Sequence, residues 1–180
     1  MTTNEQYDRA IKRCKDIFLK KTSDYGTSWR VYRTISIADQ IYIKAKRIRT
    51  IQEKKAQRIG DDIRSEFEGM LNYAVIGLIQ LDLGNDETEQ LPVNEVEERY
   101  DSKITAAKKL MLDKNHDYGE AWREMSQESF ADLILAKILR IKQIISNEGA
   151  TLVSEGIDAN FYDIFNYSVF ALILIEEGKH

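Results

Sequence analysis

Asp24-Tyr25-Gly26-Thr27-Ser28-Trp29-Arg30 returns later in the chain as Asp117-Tyr118-Gly119-Glu120-Ala121-Trp122-Arg123. Self-similarity of this kind marks a repeated structural unit. Sliding the chain on itself so that Asp24 meets Asp117 brings Tyr7-Asp8 onto Tyr100-Asp101, Ile11 onto Ile104 and Lys15 onto Lys108. Downstream, Ser36 and Asp39 meet Ser129 and Asp132, while Lys44, Arg47, Ile48 and Ile51 meet Lys137, Arg140, Ile141 and Ile144. After one inserted residue, Phe67, Asn72-Tyr73 and Val75 meet Phe161, Asn166-Tyr167 and Val169, and both copies close on a glycine, Gly84 and Gly178. Chance does not place that many matches in order.

Each copy reads as three helices. The first covers roughly 4–21 and 97–114, with Ile11, Cys14, Ile17 and Phe18 at helical spacing. The Asp-Tyr-Gly turn ends it, because glycine adopts the positive φ of a helix terminus without strain. A short helical piece bearing Trp29 leads to a second helix near 36–57 and 129–147, whose start carries the capping pattern Ser36-x-x-Asp39 and Ser129-x-x-Asp132. The third runs near 61–83 and 156–177. The single proline and nine glycines supply few of the turns that strands need. The expected fold is therefore all-α, two tandem three-helix repeats in a pseudo-two-fold bundle. Residues 1–84 form the first repeat, 85–95 an exposed acidic linker and 96–180 the second, the two packing as one globular domain.

Composition narrows the function. Hydrophobic residues make up 43% of the 180, enough for a real core. The net charge of −4 gives no broad basic field, which disfavours duplex nucleic acid. One cysteine, Cys14, can form neither an internal disulfide nor a cysteine-rich metal site, and a reduced cytoplasm suits it. Met1 to Arg13 lacks the apolar stretch of a signal peptide. Polar residues interrupt Leu133–Ile141 and Ile164–Ile175 before either reaches the ~20 apolar residues of a membrane span.

The informative residues are polar ones inside apolar helices. Leu133 to Ile141 is apolar on nearly every side, as in a buried helix, except for Lys137 and Arg140 on one face. Lys44 and Arg47 repeat that pair. Cations so placed call for an anion. On the third helix Asp163, Asn166 and Tyr167 form a polar stripe, matched by Asn72 and Tyr73, with Gly69 in place of the aspartate and Glu68 as its substitute. Two readings stay open: a buried ion-pair network that fixes helix register, or a ligand site. In the second, Lys44, Arg47, Lys137 and Arg140 hold phosphate oxygens, with Asn72, Asn166, Tyr73 and Tyr167 beside them. Asp163 with Asp158, and Glu66 with Glu68, then hold Mg²⁺, an oxygen-seeking cation. Asp163 and Glu68 are the candidate catalytic carboxylates.

The Asp-Tyr-Gly-x-x-Trp-Arg turns divide the same way. Asp24, Tyr25, Trp29, Arg30, Asp117, Tyr118, Trp122 and Arg123 either close the bundle end or place aromatic faces and an arginine beside a base and phosphate. Ser36, Asp39, Ser129 and Asp132 read as caps. His116, matched by Ser23, reads as a surface residue.

The doubled pattern Lys-x-x-Asp-Tyr-Gly-x-x-Trp-Arg, Ser-x-x-Asp, Lys-x-x-Arg-Ile and Asn-Tyr resembles the nucleotide modification associated domain type 1 family over nearly the whole chain. That resemblance implies a link to nucleotide metabolism. A more distant likeness is to MazG-type all-α nucleoside triphosphate pyrophosphatases, which are dimeric or pseudo-dimeric bundles with helix-borne carboxylates on Mg²⁺. The Glu-Glu-x-x-Glu and Glu-x-x-Asp signatures of those enzymes are missing here. Three functions follow: a Mg²⁺-dependent nucleotide pyrophosphohydrolase, a non-catalytic nucleotide-binding module, or a scaffold whose polar seam is structural. The expected partner is a nucleotide or other phosphate-bearing small molecule, with no membrane and room for a homodimer. Because Gly69 breaks the symmetry, the second unit is expected to hold the fuller site.

Overall fold

The computed structural model describes residues 1–54, 62–152 and 155–179. Positions 55–57 and 61, at the expected ends of helices in the first unit, lie outside the described residues, as does 180. Six long helices follow in order: α1 (Thr3–Tyr25), α2 (Thr34–Lys54), α3 (Asp62–Leu83), α4 (Val93–Tyr118), α5 (Gln127–Ser146) and α6 (Ile157–Glu176). Short 3₁₀ turns at Ser28–Val31 and Ala121–Glu124 carry the two tryptophans. No strand occurs among the described residues.

The helices pack as three layered pairs. α3 and α6 lie side by side in the middle, α2 and α5 pair on one side, and α1 and α4 pair on the other. α2 rests on α3 as α5 rests on α6, so exchanging the two units leaves the arrangement unchanged. The middle pair is greasiest: Phe67, Leu71, Val75 and Ile79 of α3 and Phe161, Ile164, Phe165 and Val169 of α6 are fully buried. Burying such side chains stabilises by roughly 1.5–3 kcal/mol each, which outweighs any local preference. Gly77 of α3 lets the two helices approach, since a Cβ there would stand 2.7 Å from the Phe161 ring.

Polar residues shared by the copies stitch the units together reciprocally. The buried Tyr7 hydroxyl donates to Asn166 Oδ1 at 2.7 Å, and the Tyr100 hydroxyl donates to Asn72 Oδ1 at 2.8 Å. Each asparagine also donates Nδ2 to the outer layer, Asn166 to the Ala107 carbonyl (3.1 Å) and Asn72 to that of Cys14 (3.2 Å). Lys15 pairs with Asp101 at 2.8 Å, and Lys108 with Asp8 at 2.7 Å. Between α2 and α5, Asp39 meets Lys142 at 2.7 Å and Asp132 meets Arg49 at 3.6 Å.

These contacts correct several expectations. α2 and α5 start at Thr34 and Gln127, so Ser36 and Ser129 lie inside the first turn rather than capping it. Asp39 and Asp132 instead face the opposite unit. α1 and α4 continue through Asp24-Tyr25 and Asp117-Tyr118 and stop at Gly26 (φ 71°) and Gly119 (φ 61°). α5 is not buried all round, because its layer has an open outer side; Leu139 is 59% exposed and Arg140 is exposed beside it. The acidic segment is exposed from 84 to 90 but pinned. The Thr27 hydroxyl donates to the Glu89 carbonyl at 2.6 Å and accepts from the Leu91 N–H, while Leu91 is buried.

Candidate functional site

In the first unit, the end of α1, the tryptophan turn, α2 and α3 enclose a cavity of about 210 Å³. Lys21 and Lys44 line it together with Tyr25, Trp29, Tyr32 and Tyr73. The three tyrosines form one cluster. Burial raises the Tyr73 phenol above its ordinary value, and the Tyr32 and Tyr25 phenols push it the same way. Trp29 is buried against Phe18, ring centroids 6.3 Å apart, and its indole N–H has no hydrogen-bond acceptor. Tyr25 is 60% exposed at the mouth. Gly69 forms the floor beside Lys44: a Cβ there would lie 3.0 Å from Lys44 Cε and 3.2 Å from Nζ. Lys44 Nζ stands 5.9 Å from the Tyr73 ring centre, within cation–π reach.

Charge is arranged around that floor. Glu66, one turn before Gly69, accepts from Arg47 at 2.7 Å and from Lys44 at a longer 3.4 Å. Lys21, from the end of α1, has no hydrogen bond or ion pair among the described residues. The cavity thus combines two ammonium groups with aromatic walls, and among the described residues no carboxylate lines it.

The matching place in the second unit is filled by the protein itself. Asp163 stands where Gly69 does, with one oxygen 2.8 Å from Lys137 Nζ and the other 2.9 Å from Lys114 Nζ. Lys114 and Lys137 are the counterparts of Lys21 and Lys44. Burial pulls the Lys114 ammonium down, but the hydrogen bond and charge of Asp163 outweigh it and leave the group above its ordinary value. Tyr167 is pushed up, first by burial and then by Asp163, with Lys114 and Arg140 pulling the other way. Phe170 stands where Ile76 does and stacks flat on Trp122, 4.2 Å between centres and 6° between planes. At this position the open site is therefore in the first unit, not in the second where the fuller site was expected. A carboxylate and a phenyl ring occupy the equivalent space in the second.

Lys137 also lines a separate groove of about 820 Å³ with Arg140, Gln143, Asn147, Glu155 and Asn160. Arg140 has no ion pair among the described residues. Among the described residues no aromatic side chain lines this groove, unlike the cavity of the first unit.

Several residues picked out from the sequence have other employment. Asn72 and Asn166 use both ends of their amides between the layers, which leaves little to offer a ligand. Arg30 donates to the carbonyls of Thr88 (2.8 Å) and Asp86 (2.6 Å) and to Gln80, fastening the acidic segment. Arg123 donates to Glu177 at 2.9 Å, Gln6 at 2.7 Å and Thr3 at 2.6 Å while lying over Trp122. Asp24 and Asp117 are exposed, and Tyr118 projects 75% into solvent.

The carboxylates chosen for Mg²⁺ do not fit it. Glu66 and Glu68 point to different sides of α3, Glu66 to Lys44 and Arg47 and Glu68 to Arg13 at 2.8 Å. Asp158 is exposed, and both oxygens of Asp163 are held by ammonium groups. Among the described residues no three His, Cys, Asp or Glu side chains converge on a point an ion could occupy.

Lys21 and Tyr32 were not among the chosen residues. Lys21 left a trace, as the lysine three before Asp-Tyr-Gly in both copies; Tyr32, matched by Met125, left none.

A family described as nucleotide modification associated domain 1 matches the chain twice, over residues 21–81 and 114–175. The chain belongs to that family. Each matched segment opens at or beside the cation of its unit, Lys21 or Lys114, and runs through the third helix. The family description suggests a nucleotide-related role. No curated protein and no solved structure matches the chain, and the likeness to MazG-type pyrophosphatases gains no support. No helix among the described residues is long and apolar enough to cross a membrane.

Proposed function

We propose that the first unit binds a nucleotide or similar phosphate-bearing small molecule in the cavity between α1, α2 and α3. The observation that carries this reading is the meeting of Lys21 and Lys44 with Tyr25, Trp29, Tyr32 and Tyr73 around one open space. Ammonium groups supply point charges for phosphate oxygens, and aromatic faces supply the flat apolar contact that a base prefers. The family description supports the nucleotide part. The scaffold reading keeps Asn72, Asn166, Arg30 and Arg123, whose contacts are structural. Among the described residues no carboxylate cluster supports Mg²⁺-dependent pyrophosphate release, and the function proposed is recognition.

Thermal denaturation with a panel of standard and modified nucleotides tests it. At least one nucleotide should raise the melting temperature, as any ligand selective for the folded state does. Lys44→Ala and Tyr73→Ala should each weaken binding by roughly tenfold, equivalent to ~1.4 kcal/mol. A panel that shifts nothing, with the protein folded, removes the reading.

A further inference from the structure

We infer that the cavity seats a single phosphate, that of a nucleoside monophosphate, at the position which the Asp163 carboxylate occupies in the second unit, and that the second unit is the same receptor closed by its own side chains. This rests on the binding reading above and says which part of the ligand goes where.

The argument starts from the lysines. Lys114 and Lys137 come from the end of one helix and the middle of another, and one carboxylate bridges them at 2.9 and 2.8 Å. Lys137 is largely buried, and an ammonium so placed is costly without an anion; the exposed Lys114 adds a second positive charge to the same carboxylate. Lys21 and Lys44 are the same pair in the first unit, and both line the cavity beside Gly69. Removing the Asp163 side chain from the second unit's pattern gives two cations around a gap, as in the first unit, where Lys44 keeps a longer 3.4 Å contact to Glu66 and Lys21 has no ion pair among the described residues. A phosphate oxygen can take the place of each carboxylate oxygen, since both are anionic acceptors at similar hydrogen-bond lengths.

Size and charge limit the ligand. About 210 Å³ is below the roughly 300–1,000 Å³ of sites that engulf a drug-sized molecule. One phosphate or one flat ring fits inside, with the rest of the nucleotide on the exposed face of Tyr25. Among the described residues two cations line the cavity. Arg30 fastens the acidic segment and Arg47 holds Glu66 at 2.7 Å. A triphosphate would bring more charge than two ammonium groups neutralise, and no carboxylate cluster among the described residues would hold a metal to help. At the other end of the space Phe170 replaces Ile76 and stacks on Trp122, so the second unit is closed at its apolar end too.

The test is calorimetric titration without divalent cations, using inorganic phosphate, deoxynucleoside monophosphates and the matching triphosphates. The wild-type protein should bind one equivalent of a monophosphate, at least tenfold tighter than the triphosphate. Gly69→Asp should lower that affinity tenfold or more by supplying the anion internally. Gly69→Ala, whose Cβ would stand 3.0 Å from Lys44 Cε, should weaken binding less than Gly69→Asp, because it adds bulk beside Lys44 but no charge. The double variant Asp163→Gly/Phe170→Ile should bind a second equivalent; Asp163→Asn, which removes the charge but still fills the seat, should not. A wild-type protein that binds no nucleotide sinks both this proposal and the reading it rests on. Nucleotide binding left unchanged by Gly69→Asp, or tighter for the triphosphate, overturns this proposal alone. So does a folded double variant that binds only one equivalent. If that variant does not fold, the Gly69→Asp and Gly69→Ala pair decides.

Discussion

Where the second unit has Asp163 the first has Gly69, and three residues earlier the first has Glu66 where the second has Asn160. Each unit thus sets a carboxylate of its third helix against the lysine of its second, Glu66 or Asp163, but the two carboxylates sit one helical turn apart. Glu66 reaches down the second helix to Arg47, and Lys21 is left facing a cavity. Asp163 reaches across to Lys114 and Lys137, and Arg140 is left facing a groove. A shift of one turn therefore decides which cations the protein neutralises and which it presents. Residues the units share build the bundle; residues in which they differ shape the ligand space.

The largest test of that division falls on the shared asparagines. Asn166→Ala removes the acceptor of the fully buried Tyr7 hydroxyl and the donor to the Ala107 carbonyl. Leaving buried polar groups unpaired costs about 1–3 kcal/mol each, so the loss should be about 2–4 kcal/mol in denaturant unfolding. Asn72→Ala should cost less, because Asn72 is only partly buried. Nucleotide affinity at the remaining folded fraction should change little in Asn166→Ala, because Asn166 does not line the first cavity. A strong loss of stability from neither variant would show that the exchange contacts do not hold the units together.

The next effect is smaller and concerns the reciprocal ion pairs between α2 and α5. Asp39 and Lys142 meet at 2.7 Å, Asp132 and Arg49 at 3.6 Å, all partly exposed. Exposed pairs contribute about 0.2–1 kcal/mol. Double-mutant cycles should give coupling in that range, larger for Asp39–Lys142, and falling as salt screens the charges. Coupling near zero in both would mean that the doubled aspartates have no part in joining the copies.

The repeat made much of the fold legible. Matching Tyr7 to Tyr100 and Asn72 to Asn166 showed that the residues were paired, and helical spacing gave the elements. What could not be read was that each partner lies in the other copy, because sequence order does not reveal an exchange across an axis. The site was half legible for the same reason. Tyr25, Trp29, Lys44 and Tyr73 do converge, whereas Arg30 and Arg123 are drawn to backbone carbonyls and side chains distant in sequence. Gly69 looked like a loss because the absence of a side chain carries no sign of the space it opens. Glu66 and Glu68 looked like a metal pair, but two residues apart on a helix they face opposite ways.

The finest discriminator between the units is how Lys114 titrates. Asp163 holds this ammonium above the ordinary lysine value of about 10.4, the hydrogen bond and charge outweighing burial. A cation raised in the folded state adds stability that is fully present below the unfolded value and disappears as pH climbs through the folded one. In the wild type, then, alkaline titration should remove this contribution only above the ordinary lysine range. Asp163→Asn keeps the shape and deletes the charge, leaving only Tyr167 and Glu155 to oppose burial, so the Lys114 midpoint should fall. Side-chain NMR of the lysine ammonium region, followed against pH in both proteins, measures the difference directly. Equal midpoints would mean that the second unit's lysines are not bridged in solution, and the contrast between a filled seat and an open one would lose its basis.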